Sequence, residues 1–466
     1  MLTASTHPAV SGRARLSPPL SGKFVLVPIL VCLWDEIISP LLLYAQTGPR
    51  AGAGGMYSAA QQQILFAPRI EHKIFWPPLA AISIILAIRH WSRLTLPPHI
   101  TYLFWYLAFA GASVLWAFKP EFSSVRFFQQ AMIVTSIVLP ALLAARTVDM
   151  MRGLFLCFAL ALIVNLFFVL DQPPMLLENG RRGYPGYFTF KGVLGECAAF
   201  GLLLSLHELV YSGWRRTLGV IVIGIAIYLV ILSDSNGSLA LALVAPVLGG
   251  ITLFIGKKMR ASVAVVLLPI PLLYAALDSV VGNLVNRISW YLYGNFTLTG
   301  RTIIWDFVSS AIALNPLLGW GYRSFWLVGS DGPSLGAPGW VRAMPSSHNG
   351  FMETKLDLGY VGLTLLVVFI FATLHAIGRV AVRDTPRAWL LLTLALYIIL
   401  TNFLETGWMR GDDMLWLMFL FVAAEAGRYW QPSFRGAPEP IRRSPSIAAR
   451  RPSLARAQVS GKLGRF

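Results

Sequence analysis

The chain has 466 residues, 56% of them hydrophobic and only 13% charged, with a formal net charge of +17. Soluble domains carry about 25% charged residues, so this chain cannot clothe a folded surface in polar groups. Soluble, collagenous and disordered classes are excluded, and a polytopic all-α membrane protein remains.

A spanning helix needs about 20 mostly apolar residues. Twelve stretches qualify or nearly do: 24–45, 74–90, 100–118, 123–145, 153–171, 192–211, 217–233, 238–255, 261–281, 358–378, 388–404 and 413–429. The predicted organisation is a tail over 1–23, spans one to nine over 24–281, a large loop over 282–357, spans ten to twelve over 358–430, and a basic disordered tail over 431–466. Lys and Arg gather on the side of the N-terminus. The positive-inside rule therefore puts both termini in the cytoplasm and the 282–357 loop on the opposite face. The positive excess reflects this topology and gives no reason to expect nucleic acid as a partner.

The first apolar stretch reads as a retained span rather than a cleaved signal, because Asp35 and Glu36 interrupt it and its removal would spoil the alternation of the others. Charge inside a span is costly and hints at function. Cys32, Cys157 and Cys197 show no metal or disulfide spacing, so no metal site and no cofactor is expected.

Loop 282–357 is long enough to be functional, and Trp290, Trp305, Trp320, Trp326 and Trp340 make it too apolar for disorder. It is expected to fold as a helical lid. From Thr302 to Asn315, apolar residues at 303, 304, 307, 308, 311 and 312 follow the helical period. An amphipathic helix in the interface plane is the predicted placement, with Arg301 at its N-terminal end. Gly319-Trp320-Gly321 forms a tight turn before Arg323. His348 then precedes a helix capped by Asn349 or Gly350, an end that favours anions. A histidine there is a candidate proton acceptor. Glu353 orients the imidazole or an acceptor, or merely complements the helix dipole. Arg287, Arg323 and Arg342 contact lipid headgroups or only solvate the loop, with Arg287 and Arg323 the candidate phosphate ligands among them. On the last outer loop, Asp412-Asp413 after Arg410 reads as acceptor-sugar contacts or as a solvated turn.

Three strings in order carry a resemblance. They are Gly300-Arg301-Thr302-Ile303-Ile304-Trp305, Pro316-Leu317-Leu318-Gly319-Trp320-Gly321, and His348-Asn349-Gly350-Phe351 followed by Leu358-Gly359-Tyr360-Val361-Gly362. Ser113-Val114-Leu115-Trp116 through Pro120 and Arg126 adds a fourth. Together they resemble the signature of the O-antigen ligase and O-antigen polymerase superfamily, in its exopolysaccharide-polymerase-like branch. The resemblance implies a lipid-donor glycosyltransferase of the bacterial inner membrane with about twelve spans and one large periplasmic loop. The donor would be a glycan on undecaprenyl pyrophosphate, and the acceptor another lipid-linked repeat unit or the lipid A core. His348 and Arg301 match the residues regarded as essential in that family, with His348 as base and arginines on the pyrophosphate. No Asp-x-Asp triplet is present, so a metal-independent, inverting transfer is expected, one that survives chelation of divalent cations.

Two positions depart from the family pattern. Where a His-Lys-Asn-like string is common, this chain reads Phe188-Thr189-Phe190-Lys191-Gly192, and where Ser-Arg-Gly is common it reads Ser235-Asn236-Gly237. Arg181, Arg182 or Lys191 would then stand in for the absent arginine beside Asn236, or the donor is held differently. Ligase and polymerase are not separated by the sequence, and polysaccharide assembly proteins are plausible partners. A transporter is the rival of another class, but such folds divide into related halves around a mid-membrane site, and here the long connection follows span nine. A scaffold is the remaining alternative.

Overall fold

The computed structural model describes residues 21–50, 57–66, 69–145, 147–176, 180–282, 287, 290–291, 298, 300–411 and 413–430. The tail from 431 and nearly all of the N-terminal tail lie outside the described residues, as does Asp412. The protein is an all-α membrane protein, with one two-stranded exception, β1 (Met175–Leu176) paired antiparallel with β2 (Arg182–Gly183).

Every predicted stretch falls on a helix. Among the described residues, eight helices are long and apolar enough to cross a membrane: α1 (Gly22–Thr47), α2 (Ile70–Arg89), α3 (Pro98–Trp116), α4 (Pro120–Leu143), α5 (Met150–Asp171), α7 (Trp214–Leu232), α8 (Asn236–Met259) and α11 (Gly350–Ala381). The other four stretches are α6 (Lys191–Glu208), α9 (Val263–Leu267 continued by Pro269–Val281), α12 (Thr385–Thr401) and α13 (Met414–Arg428). They are shorter or more polar for identifiable reasons. α6 carries Lys191, Glu196 and Glu208. Every residue of α13 is buried, and most of α12 is too, so these two form the centre of the bundle rather than its lipid-facing wall. α4 and α12 pack on α13, α3 on α11, and α6 between α5 and α7.

Burying α13 completely forces its charged groups to find partners. Arg428 meets Glu425 at 2.7 Å, Arg387 reaches Asp149 at 2.8 Å, and Arg215 grips Glu208 with two bonds of 2.7 and 2.6 Å. These groups gather the ends of α5, α6, α7, α12 and α13 at one end of the bundle. The connections at the opposite end build the site.

Between α9 and α11 lies the lid. Its helix α10 (Arg301–Leu314) stops at Asn315, as the Asn-Pro pair dictates. The apolar stripe does not face open lipid. Ile304, Val308, Ala311 and Ile312 are buried against Phe325, Trp326, Val341 and Leu356, forming a second small core. α10 is amphipathic because it packs on its own lid.

The glycine strings are explained by backbone approach. α11 breaks at Gly359, with φ +63° and ψ −165°, and the lid segment 316–321 runs alongside the break. Trp320 N–H donates to Leu356 C=O and Gly321 N–H to Asp357 C=O, both at 2.9 Å, while Tyr360 N–H donates to Pro316 C=O at 2.9 Å. A Cβ on Gly359 would lie 2.1 Å from the Leu317 oxygen, and one on Gly319 2.4 Å from the Asp357 carbonyl carbon. Both glycines also need positive φ. Gly359→Ala and Gly319→Ala should each destabilise by more than about 1 kcal/mol, seen as a lower melting midpoint in detergent. Gly224→Ala, with nothing within 4 Å of its Cβ, should leave it unchanged or raise it.

The Ser113 to Arg126 string grips the other side of the same segment. Ser113 Oγ accepts from Tyr322 N–H at 2.9 Å, Trp116 Nε1 donates to Leu318 C=O at 3.1 Å, and Ser123 Oγ donates to Tyr322 C=O at 2.7 Å. Arg126 donates to the Arg323 carbonyl. Tyr322 is thereby buried, and loss of water around its phenol pushes its pKa up to about 12. The glycines and the Ser-Trp string hold the lid to the bundle.

Candidate functional site

Ser347 is clamped at both ends of its peptide unit. Its N–H donates to Glu353 Oε2 at 2.8 Å, and its C=O accepts from Trp305 Nε1 at 3.0 Å. Glu353 is buried and also accepts from Trp326 Nε1 at 3.2 Å. The next residue, His348, adopts φ +51°. That left-handed conformation costs an L-residue about 1–2 kcal/mol, and the clamped neighbours hold it. Asn349 then caps α11, its Oδ1 accepting from Phe351 and Met352 N–H at 3.1 Å each.

The imidazole meets a partner that hydropathy and motif reading overlooked. His348 Nδ1 lies 3.1 Å from Glu405 Oε2, and Arg301 Nη2 lies 2.5 Å from Glu405 Oε1. Glu405 therefore bridges Arg301 and His348. An ionised carboxylate only accepts, so Nδ1 carries a proton toward Glu405, and in the neutral ring Nε2 is the acceptor. The three side chains remain between 23% and 38% exposed, within reach of a substrate. Around them, Gly350 N–H donates to the carbonyls of Asn402 and Glu405 at 2.8 and 3.0 Å, and Asn349 N–H to Thr406 Oγ1 at 3.1 Å. The α12–α13 connection is thus laced to the His348 turn.

Nearby lies a polar cavity of about 470 Å³, lined by Asp35, Ser39, Arg69, Tyr187, Glu196, Arg323, Arg410 and Asp413 among others. Arg410 ties this cavity to the histidine turn by donating to Pro345 C=O at 3.2 Å. Burial, and then the like charge of Arg323, hold the Arg410 pKa below the usual guanidinium value. Asp413 caps α13, accepting from Leu415 N–H at 3.0 Å. The cavity has three carboxylates facing three guanidinium groups, a lining that suits a polar substrate carrying negative charge and hydroxyls.

The sequence-predicted residues divide into groups. Arg301, His348, Asn349 and Glu353 share one cluster, but Asn349 serves the helix cap and Glu353 the backbone of Ser347. The residue touching the imidazole is Glu405. Arg323, in a left-handed conformation with φ +48°, faces the cavity. Lys191 and Arg181 converge elsewhere, on Asp234 just before Asn236. Lys191 Nζ lies 3.2 Å from Asp234 Oδ2, and Arg181 pairs with its other oxygen. Cationic side chains therefore stand beside the exposed first turn of α8, which begins at Asn236. Arg182 and Arg287 are exposed, and neither joins the His348 cluster. Asp35 faces the cavity from a π-helical turn, Trp34–Ile38, in which Glu36 is buried. Such turns often mark functional sites.

Comparison with known proteins places this geometry. Residues 200–367 match the O-antigen ligase family, a window that contains Arg301, Arg323 and His348 and stops short of Glu405. The exopolysaccharide production protein ExoQ of Rhizobium meliloti (strain 1021) is 28% identical over 355 residues, covering 71% of this chain and 76% of that protein. A protein of Rickettsia typhi (strain ATCC VR-144 / Wilmington), provisionally named a polysaccharide ligase, is 26% identical over 225 residues, covering 46% of this chain and 54% of that protein. The signature strings, the multi-pass helical fold and these matches agree in relating the chain to the O-antigen ligase superfamily, with exopolysaccharide-related relatives.

Proposed function

We propose that this protein is an inner-membrane glycosyltransferase that transfers or polymerises undecaprenyl-pyrophosphate-linked oligosaccharide on the periplasmic face, in exopolysaccharide or O-antigen biosynthesis. The observation that carries the reading is the His348–Glu405–Arg301 bridge, set in a lid beside a cavity of mixed charge. His348 Nε2 takes the proton of an acceptor sugar hydroxyl as that oxygen attacks C1 of the donor sugar. The bond from C1 to the pyrophosphate oxygen breaks, and the leaving group departs with the electron pair. Glu405 holds the ring and stabilises the imidazolium that forms.

Arg301 acts on the leaving group. Its pair with Glu405 is partly exposed, and such pairs contribute about 0–1 kcal/mol. A dianionic pyrophosphate can therefore draw the guanidinium away at little cost, and its hydrogen bonds strengthen as the C1–O bond breaks. Arg301→Ala should lower the transfer rate about 10- to 100-fold, and Arg301→Lys should recover only part, because lysine lacks the planar fork. The measurement is single-turnover transfer by purified protein.

The second reading is ligation of the glycan to the lipid A core, which the description of the matched family and the name of the Rickettsia relative favour. A gene deletion complemented with wild type, followed by sizing of the glycans, separates the two. Single lipid-linked repeats accumulating in the deletion mean polymerase. Long lipid-linked chains that never reach lipid A mean ligase. Unchanged glycans in the deletion would reject both.

A further inference from the structure

A second cavity lies on the lipid-facing side of the bundle, between α1 and α2. Both helices lean on α4, and α2 carries Pro77 and Pro78 in its interior, where neither can donate a helical hydrogen bond. The resulting groove measures about 390 Å³ and is lined by Leu30, Trp34, Ile74, Phe75, Leu79 and Ile82, with Pro78 and Glu71 completing it. Trp34 stacks flat on Phe75, centroids 4.0 Å apart and planes 4° off parallel. Ile74 and Ile82 are 68% and 48% exposed. Apart from Glu71 in the first turn of α2 and the Trp34 indole N–H, the lining is carbon.

The head of this groove is polar and cationic. Trp34 meets His72 edge-on at 6.1 Å. His72 Nε2 lies 3.0 Å from Ser39 Oγ, and Arg69 Nη1 donates to the same hydroxyl at 3.1 Å. Among the described residues no carboxylate pairs with Arg69. Ser39 and Arg69 are also on the wall of the polar cavity, opposite Arg323 and Arg410. An apolar track thus runs from the lipid-facing side past Trp34 and Phe75 and ends at Arg69, which borders the site.

We propose that this groove and the Ser39–Arg69–His72 cluster receive the lipid diphosphate of the donor. The single branched hydrocarbon chain lies along Trp34, Phe75 and Ile82, and the diphosphate rests on Arg69 and His72, which deliver it to the cavity. This rests on the glycosyltransferase reading and goes beyond it, since none of these residues belongs to the signature strings. The Arg69 guanidinium at the groove's head, which also lies 3.4 Å from His72 Nε2, suits a diphosphate, and a phospholipid is the competing occupant that the test separates.

The test uses the full chain in nanodiscs and a sugar-free polyprenyl diphosphate carrying a benzophenone near its head. Peptides of α1 and α2 should be labelled. Arg69→Gln should weaken binding of the probe about tenfold. Ile82→Trp, which fills the exposed groove, should weaken it similarly while leaving inorganic diphosphate binding unchanged. Both variants should keep the wild-type melting midpoint. Labelling confined to other helices, or full binding by both variants, would overturn the proposal and leave the glycosyltransferase reading standing. Displacement of the probe by equimolar phosphatidylglycerol would also overturn it, marking a general lipid groove. A wild-type protein that binds no polyprenyl diphosphate would overturn both.

Discussion

His348→Ala should abolish transfer almost entirely, lowering the single-turnover rate by about 10²–10⁴-fold, while the protein melts at its normal temperature. The expectation follows from the position of the side chain. The backbone turn is held by Glu353, Trp305 and Thr406, none of which bonds to the imidazole. Removing the ring therefore leaves the clamp intact. It also relieves nothing in the left-handed backbone, since alanine is no better suited to φ +51° than histidine. A loss of activity with an unchanged melting midpoint would assign the effect to chemistry. A parallel fall in both would assign it to folding. His348→Asn supplies the control for the backbone, because asparagine tolerates that conformation well yet cannot accept the proton. It should be as inactive as alanine.

Glu405→Ala should cost about 100-fold in rate, with the Arg301 and His348 side chains both losing their shared partner. The test of mechanism is non-additivity. If Glu405 acts through the imidazole, adding Glu405→Ala to His348→Ala should lower the rate little further, because residues that act as a unit fail together. If Glu405 instead binds acceptor or donor directly, the two losses should multiply. Glu405→Gln separates its two tasks. The amide oxygen can still accept from Nδ1–H, but it cannot balance an imidazolium or hold Arg301 as an ion pair. Its rate should fall between those of wild type and alanine.

Much of this architecture was legible in the sequence, and what was missed has a common cause. Each of the twelve apolar stretches falls on a helix because a membrane span is a local, compositional property, whereas the short helix Ala59–Phe66 went unread. The α10 stripe was equally local, although its partner was not. The period predicts a buried face without saying that Phe325, Trp326 and Val341 cover it. The apolar run of span ten begins at 358, whereas α11 begins at Gly350. Its first turns carry Glu353 and Asp357, which are polar yet buried against the lid, so a hydropathy reading places them outside. Arg301 and His348 were found through their strings. Glu405 was not, because it lies on the connection between α12 and α13 and its role exists only across 57 residues of intervening chain. The available signal was an acidic residue at the outer mouth of a span. Asn349, read as the helix cap and as an acceptor or orienting residue, is the cap of α11, and Glu353, read as orienting the imidazole or an acceptor or complementing the dipole, holds the Ser347 backbone. The basic residues around Asn236 were anticipated as a group, and two of them, Arg181 and Lys191, do meet there on Asp234.

Glycan transfer from a lipid diphosphate, the function proposed for this lid and its bridge, can be followed in a defined system. The most direct measurement reconstitutes the purified full chain in proteoliposomes with a lipid-diphosphate-linked repeat unit as donor and acceptor. Released polyprenyl diphosphate and product length are followed together. The account predicts that wild type releases polyprenyl diphosphate in step with growing glycan, and that His348→Ala does neither. Movement of the lipid-linked glycan across the bilayer without release of polyprenyl diphosphate, equally fast in His348→Ala, would contradict it.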